Sequence, residues 1–182
     1  MNDAVNGVTK DAQVRGSALV LRSVMGYKAA AMASAGDKQA FGDATKFLIA
    51  NMLRSITKKL EIELLYGQVG YGVVSAATAA PNTITINTSH WAPGIWAGSE
   101  KMPIEIRDIT GVTSRGNFEI SAVDFDLRKL TLTTDPVAAG VVATDVVWHK
   151  GAYGNEFAGI HKIITNTGTL FNIDASVYSL WK

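Results

Sequence analysis

Residues 38–67 read KQAFGDATKFLIANMLRSITKKLEIELLYG, and this run decides the fold class. Placed at 100° per residue, Phe41, Leu48, Ile49, Met52, Leu53, Ile56, Leu60 and Leu64 fall within an arc of about 160°. Asp43, Lys46, Asn51, Arg54, Thr57, Lys58 and Glu61 take most of the opposite side. No proline interrupts the run. Asp37 stands where it can cap the first amides, and Gly67 follows Tyr66 as the residue past a helix end. The pattern predicts one helix over residues 38–66, about 40 Å long at 1.5 Å per residue. A helix of that length acts as a girder, with Leu48, Met52, Ile56 and Leu60 on its packing face.

Upstream, residues 1–36 are rich in Ala, Gly, Ser and Val. Residues 18–24 (ALVLRSV) fit a strand or a short helix, and the alanine-rich 29–33 lie between Gly26 and Gly36. The region reads as an extended arm leading into a helix. Downstream the period changes. Gly67, Gly70 and Gly72 read as a flexible turn and residues 76–81 (AATAAP) as a connector. Short alternating runs then follow at 83–86, 104–106, 118–123, 129–133 and 145–148. Turn clusters with Pro93-Gly94, Gly111, Arg115-Gly116-Asn117 and Gly140 separate them. Such spacing predicts a small antiparallel barrel with Ile104, Ile106, Ile120, Leu130, Leu132 and Val147 facing inward. The expected fold class is α+β. The expected divisions are 1–72 (arm and long helix), 73–150 (barrel) and 151–182 (return segment). Ending at Trp181-Lys182 without a polar tail, the chain reads as a fragment of a longer one.

The whole chain has 182 residues, of which 47% are apolar, 17 Lys plus Arg against 16 Asp plus Glu, and no cysteine. A chain of this length buries roughly 70% of its unfolded surface, so a core needs no covalent staples. Lack of cysteine removes disulfides, thiolate metal sites and a cysteine nucleophile. The first 80 residues carry nine basic and six acidic groups, the remainder eight and ten. A net charge of +1 argues against a strongly electrostatic partner for the chain as a whole, since nucleic-acid domains show a larger basic excess. No apolar window is long enough for a membrane span, and Asp3 without a basic leader argues against secretion.

The search for chemistry assigns no catalytic, cofactor-binding or metal-ligating residue. His90, His149 and His161 are widely spaced and lack ligand-type neighbours. His90-Trp91 and Trp148-His149 each pair an imidazole with an indole, and read as amphipathic rings at the rims of one barrel. Gly67, Gly70 and Gly72 reverse the dinucleotide fingerprint and follow a helix, where that motif must follow a strand. Ser55 and Lys58 match Ser-x-x-Lys, but the companion motifs of acyl-transfer enzymes are missing. Asp124 and Asp126 read as the solvated end of a strand. Asn87-Thr88-Ser89 fits a glycosylation acceptor, meaningful only in a secretory compartment. Tyr71, Trp91 and Trp96 suit a ligand-stacking surface, a barrel plug or a subunit interface.

The helix end Leu60-Glu61-Ile62-Glu63-Leu64-Leu65-Tyr66-Gly67-Gln68, the later Gly154-Asn155-Glu156-Phe157-Ala158-Gly159-Ile160 and the closing run 165–174 (TNTGTLFNID) carry a resemblance. Together they resemble the major capsid (coat) proteins of tailed bacteriophages with the Hong Kong 97-type fold. In that family the spine helix of the peripheral domain ends in a Glu-x-x-Leu-Leu-x-Gly-like turn. The chain re-enters the axial domain at a Gly-Ile or Gly-Leu, here Gly159-Ile160. The likeness spans residues from about 15 to 182 and implies that the barrel is an insertion where simpler members have a short turn. It implies a non-enzymatic structural subunit that assembles with copies of itself into an icosahedral virion shell in the bacterial cytoplasm. Scaffolding, portal or decoration proteins would be further partners. Contact with packaged DNA would be weak and non-specific, with no cofactor and no membrane. The rival reading is a ligand- or protein-binding barrel on an oligomerising helix.

Overall fold

The computed structural model describes residues 9–14, 16, 18, 20, 38–165 and 168–181. The readings of residues 18–24 and 29–33 and the Asp37 cap fall outside them, Ala18 and Val20 apart. Helix α1, Lys38–Tyr66, is continuous over 29 residues. Its packing differs from the expected one. Leu48, Met52 and Ile56 are only half-buried and Leu60 is exposed, whereas Ile62 and Glu63 are buried. The face that meets the rest of the molecule carries Ser55, Lys58, Lys59 and Ile62. It is turned by about 110° from the centre of the apolar arc at 100° per residue.

Six strands follow: β1 (Gly72–Thr78), β2 (Thr83–Ile86), β3 (Pro103–Arg107), β4 (Ser114–Asp124), β5 (Lys129–Leu132) and β6 (Val146–His149). They close into an antiparallel barrel in the order β1-β2-β5-β4-β3-β6. The fold is therefore mixed helix and sheet, with a closed six-stranded antiparallel barrel. Closure abolishes free edges. It is helped by bulges at Val74/Ala76, Ile106/Arg107 and Ile120/Ala122, where extra residues sharpen the bend. Ile104, Ile106, Ile120, Leu130, Leu132 and Val147 all point into the barrel and are essentially fully buried.

Two loop readings are overturned. Gly72–Thr78 is a barrel strand and not part of a turn and connector: it pairs with β2 through Val74↔Ile86 and with β6 through Gly72↔Val147. Its small side chains and its bulge erase the alternation that marks the other strands. Arg115-Gly116-Asn117 lies inside β4, with Gly116 (φ 132°) opposite Ile106. Pro93-Gly94 opens a one-turn helix, α2 (Pro93–Trp96), which drives Ile95 and Trp96 into the core.

After the barrel come helix α3 (Ile160–Thr165) and a hairpin of β7 (Thr169–Leu170) and β8 (Ile173–Asp174). The two loop residues Phe171 and Asn172 both have positive φ, 51° and 68°. That is the twist a two-residue hairpin requires. No helix among the described residues is long and apolar enough to cross a membrane.

Candidate functional site

The junction between α1, the barrel and the return segment gathers most of the chain's unusual chemistry. It begins with a seam of two glycines. Gly159 N donates to Gly67 O at 3.0 Å, and Gly67 N donates to Glu63 O at 2.8 Å. A Cβ on Gly67 would lie 2.3 Å from the Phe157 carbonyl oxygen, and one on Gly159 would lie 2.5 Å from Gly67 N. Gly67 is thus required by space. The left-handed residue that ends the helix is Gln68 (φ 65°), not Gly67 as the capping rule suggested.

Beside the seam sits a buried polar cluster. Glu156 accepts from Gln68 N at 3.1 Å and from the Tyr71 hydroxyl, while Gln68 Nε2 donates to the Glu156 carbonyl at 2.8 Å. Glu63 is also buried. Burial raises both carboxyl groups above the ordinary range: nearby Lys59 partly offsets this at Glu63, and hydrogen bonds from Tyr71 and Gln68 offset it at Glu156. The Tyr71 phenol is pushed up by burial and then by Glu156. Its ring lies 4.3 Å from the imidazole of His149. Burial, then Lys59 and Lys58, depress His149 to about 4, so the ring is neutral at physiological pH. Trp148, Tyr153 and Arg107 extend the cluster through an edge-on ring contact of 5.2 Å and a cation–π contact of 4.4 Å.

On the other side of His149 a cleft of about 330 Å³ opens between α1 and the barrel rim. Lys58, Lys59, Lys101 and Lys150 line it, with Glu100 the one acidic residue of the lining. A separate surface feature is the uncovered part of the α1 apolar arc. Ile49, Leu53, Leu60 and Leu64 follow one another along the helix, each between 43% and 60% exposed.

The three histidines do not share a site. His90 is exposed beside Ser89 and His161 packs its ring 5.9 Å from Tyr66; both border a groove that also holds Trp91. His149 is buried at the cleft, apart from that groove. Ser55 and Lys58 both reach the cleft, from adjacent turns of α1. Asp124 accepts from Leu127 N at 2.9 Å and closes the β4–β5 turn. Asn87 caps a short helical turn through Ser89 N at 3.1 Å. Of the aromatic trio, Trp96 is a fully buried barrel plug, Trp91 stacks on it at 6.3 Å, and Tyr71 belongs to the polar cluster. Among the described residues no three His, Cys, Asp or Glu side chains group as a metal site would need. The Glu63–Tyr71–Glu156 cluster and the lysine-lined cleft were not foreseen. The one sequence signal for the first is Glu63, a carboxylate at the centre of the apolar arc of α1.

Comparison with protein-family models, with curated proteins and with solved structures finds no match for this chain.

Proposed function

We propose that this chain is a major capsid subunit of a tailed bacteriophage, built on the Hong Kong 97-type fold with the barrel as an insertion. In this reading α1 is the spine helix, and residues 151–182 lead back into the axial domain. The observation that carries it is the glycine seam. The barrel leaves the helix at Gly67 and returns at Gly159, and those two residues share a backbone hydrogen bond of 3.0 Å. An inserted domain needs its ends close together, so that the host fold continues as if the insertion were not there. The resemblance at Glu61 to Gly67 and at Gly159-Ile160 falls on the same two points.

The uncovered stripe of α1 supports the same reading. Ile49, Leu53, Leu60 and Leu64 present an apolar row left about half exposed. Large side chains left half in water cost stability that contact with a neighbour restores. In a shell, neighbouring copies of the chain supply that contact. Catalysis forms no part of this role.

The test is assembly. The full-length protein, expressed alone or with its scaffolding partner, is expected to sediment as large closed particles visible by electron microscopy. A stable monomer under every assembly condition would overturn the capsid reading and favour a binding module.

A further inference from the structure

We propose that the cleft between α1 and the barrel rim is a binding site for a phosphate group. Four lysines converge there from three separate parts of the chain: Lys58 and Lys59 from α1, Lys101 from the segment before β3, and Lys150 from the end of β6. Glu100 is the only acidic side chain lining it, and none of the four lysines is in an ion pair among the described residues. Lys58 Nζ also donates to the Ala97 carbonyl, in the segment that follows α2.

The second observation is His149. His149 borders the cleft and is only 6% exposed, and neither ring nitrogen has a hydrogen-bond partner among the described residues. A buried imidazole without a partner is uncommon, because each ring nitrogen is a donor or an acceptor that burial strips of water. A bound oxyanion supplies the missing acceptor for its N–H. With burial and the two helix lysines holding the ring neutral, His149 adds a donor without adding charge.

The lining also indicates what the anion is. A phosphate carries more than one negative charge and three strong acceptor oxygens, which suits several ammonium donors arriving from different directions. A carboxylate offers one charge in one plane and leaves most of the lysines unused. Apart from the imidazole the lining has no aromatic ring, so a base would find no stacking platform. Recognition is therefore of an inorganic or terminal phosphate; a nucleic-acid backbone diester, with one charge and two free oxygens, leaves the lysines unused as the carboxylate does.

The full chain should be titrated at about 50 mM salt, where screening is weak, with inorganic phosphate, pyrophosphate, citrate and a short oligothymidylate. Calorimetry and ¹⁵N spectra of the histidine rings are the readouts. Phosphate is expected to shift the His149 ring signals and raise its pKa, leaving His90 and His161 unmoved. Lys101→Gln with Lys150→Gln, both on exposed positions, should weaken pyrophosphate roughly tenfold or more. Oligothymidylate without a terminal phosphate is expected not to compete with pyrophosphate; competition at comparable strength would overturn the reading of a multiply charged phosphate. Unmoved His149 signals, an unweakened double variant, or citrate binding as tightly as pyrophosphate would each overturn the proposal. None of these outcomes depends on whether the protein forms shells.

Discussion

Replacing Gly159 by alanine asks whether the helix end and the return segment are held by direct backbone contact. A Cβ built at Gly159 lies 2.5 Å from Gly67 N, 2.8 Å from the Glu63 carbonyl oxygen and 2.9 Å from the Leu65 carbonyl carbon. All three are main-chain atoms, so no side chain can swing aside and the two segments must separate. Overpacking of this kind costs about 1–3 kcal/mol. Separation also stretches the 3.0 Å hydrogen bond from Gly159 N to Gly67 O, worth about 0.5–1.5 kcal/mol. The expected loss is about 2–4 kcal/mol. Gly42→Ala in the same α1 is the control. A Cβ there meets no atom within 4 Å, so it should stabilise the helix by about 0.5–1 kcal/mol. Urea denaturation followed by circular dichroism gives both values. Hydrogen exchange locates the damage: the amides of Gly159 and Ile163 should lose protection while Ile120 in the barrel keeps it. A Gly159→Ala chain within about 0.5 kcal/mol of the parent, with protection unchanged across the seam, would refute the close-packed junction.

Four further outcomes are expected. Ile120→Ala, at a fully buried barrel position, should cost about 2–5 kcal/mol in urea denaturation; a loss below that range would mean the barrel interior is not packed as described. His149 has a folded pKa of about 4 against an ordinary 6.5, so its stabilising contribution is complete above the higher value and is lost as pH falls toward the lower. The loss should be of order 3 kcal/mol, and denaturation midpoints of His149→Gln between those pH values should lack that slope. Glu156 titrates in the opposite sense. Its folded pKa is raised, so its contribution is present below the ordinary carboxylate value and fades as pH rises through the raised one; Glu156→Gln should therefore remove the part of the stability loss that sets in as pH rises above the ordinary carboxylate value. Leu53→Lys with Leu60→Lys, on the exposed stripe of α1, should change monomer stability by no more than about 1 kcal/mol and abolish self-association in sedimentation; association at parental strength would remove the stripe from any subunit interface.

Much of the fold was legible because it rests on periodicity. Four of the six barrel strands, β2 to β5, alternate apolar and polar residues, and their inward positions follow from the pleat alone; β6, Val-Val-Trp-His, is buried throughout and reads as a short apolar run. The sixth, Gly72–Thr78, shows no strand pattern because its residues are small and its bulge shifts the register midway, so Gly72 reads as turn and 76–78 as connector. Nothing in Val-Val-Ser-Ala-Ala announces a strand until β2 and β6 are there to pair with it. The continuity of α1 was equally plain, but its buried side was not. A helical wheel ranks faces by apolarity, and the barrel docks instead on Ser55, Lys58, Lys59 and Ile62. A face richer in leucine is left open, and no single-chain argument foresees that unless the missing contact belongs to another molecule.

The polar junction was illegible for a different reason. Glu63 and Tyr71 lie far in sequence from His149 and Glu156, and the two pairs meet only because the barrel brings its two ends together. Tyr71 enters at the start of β1 and His149 sits at the end of β6, and these strands are neighbours at the point of closure. The same closure assembles the four lysines of the cleft, since β6 pairs with β3 through Ile104↔His149 and so sets Lys150 near Lys101. Total charge hides this. A chain of net charge +1 argues against extensive phosphate contacts over its whole surface, yet local field depends on which charges share a low-dielectric recess, not on their sum. Four lysines and one carboxylate, Glu100, beside a buried neutral imidazole leave the recess net positive in a nearly neutral protein. Charge counting over halves of a chain averages such a recess away, and only the fold can restore it.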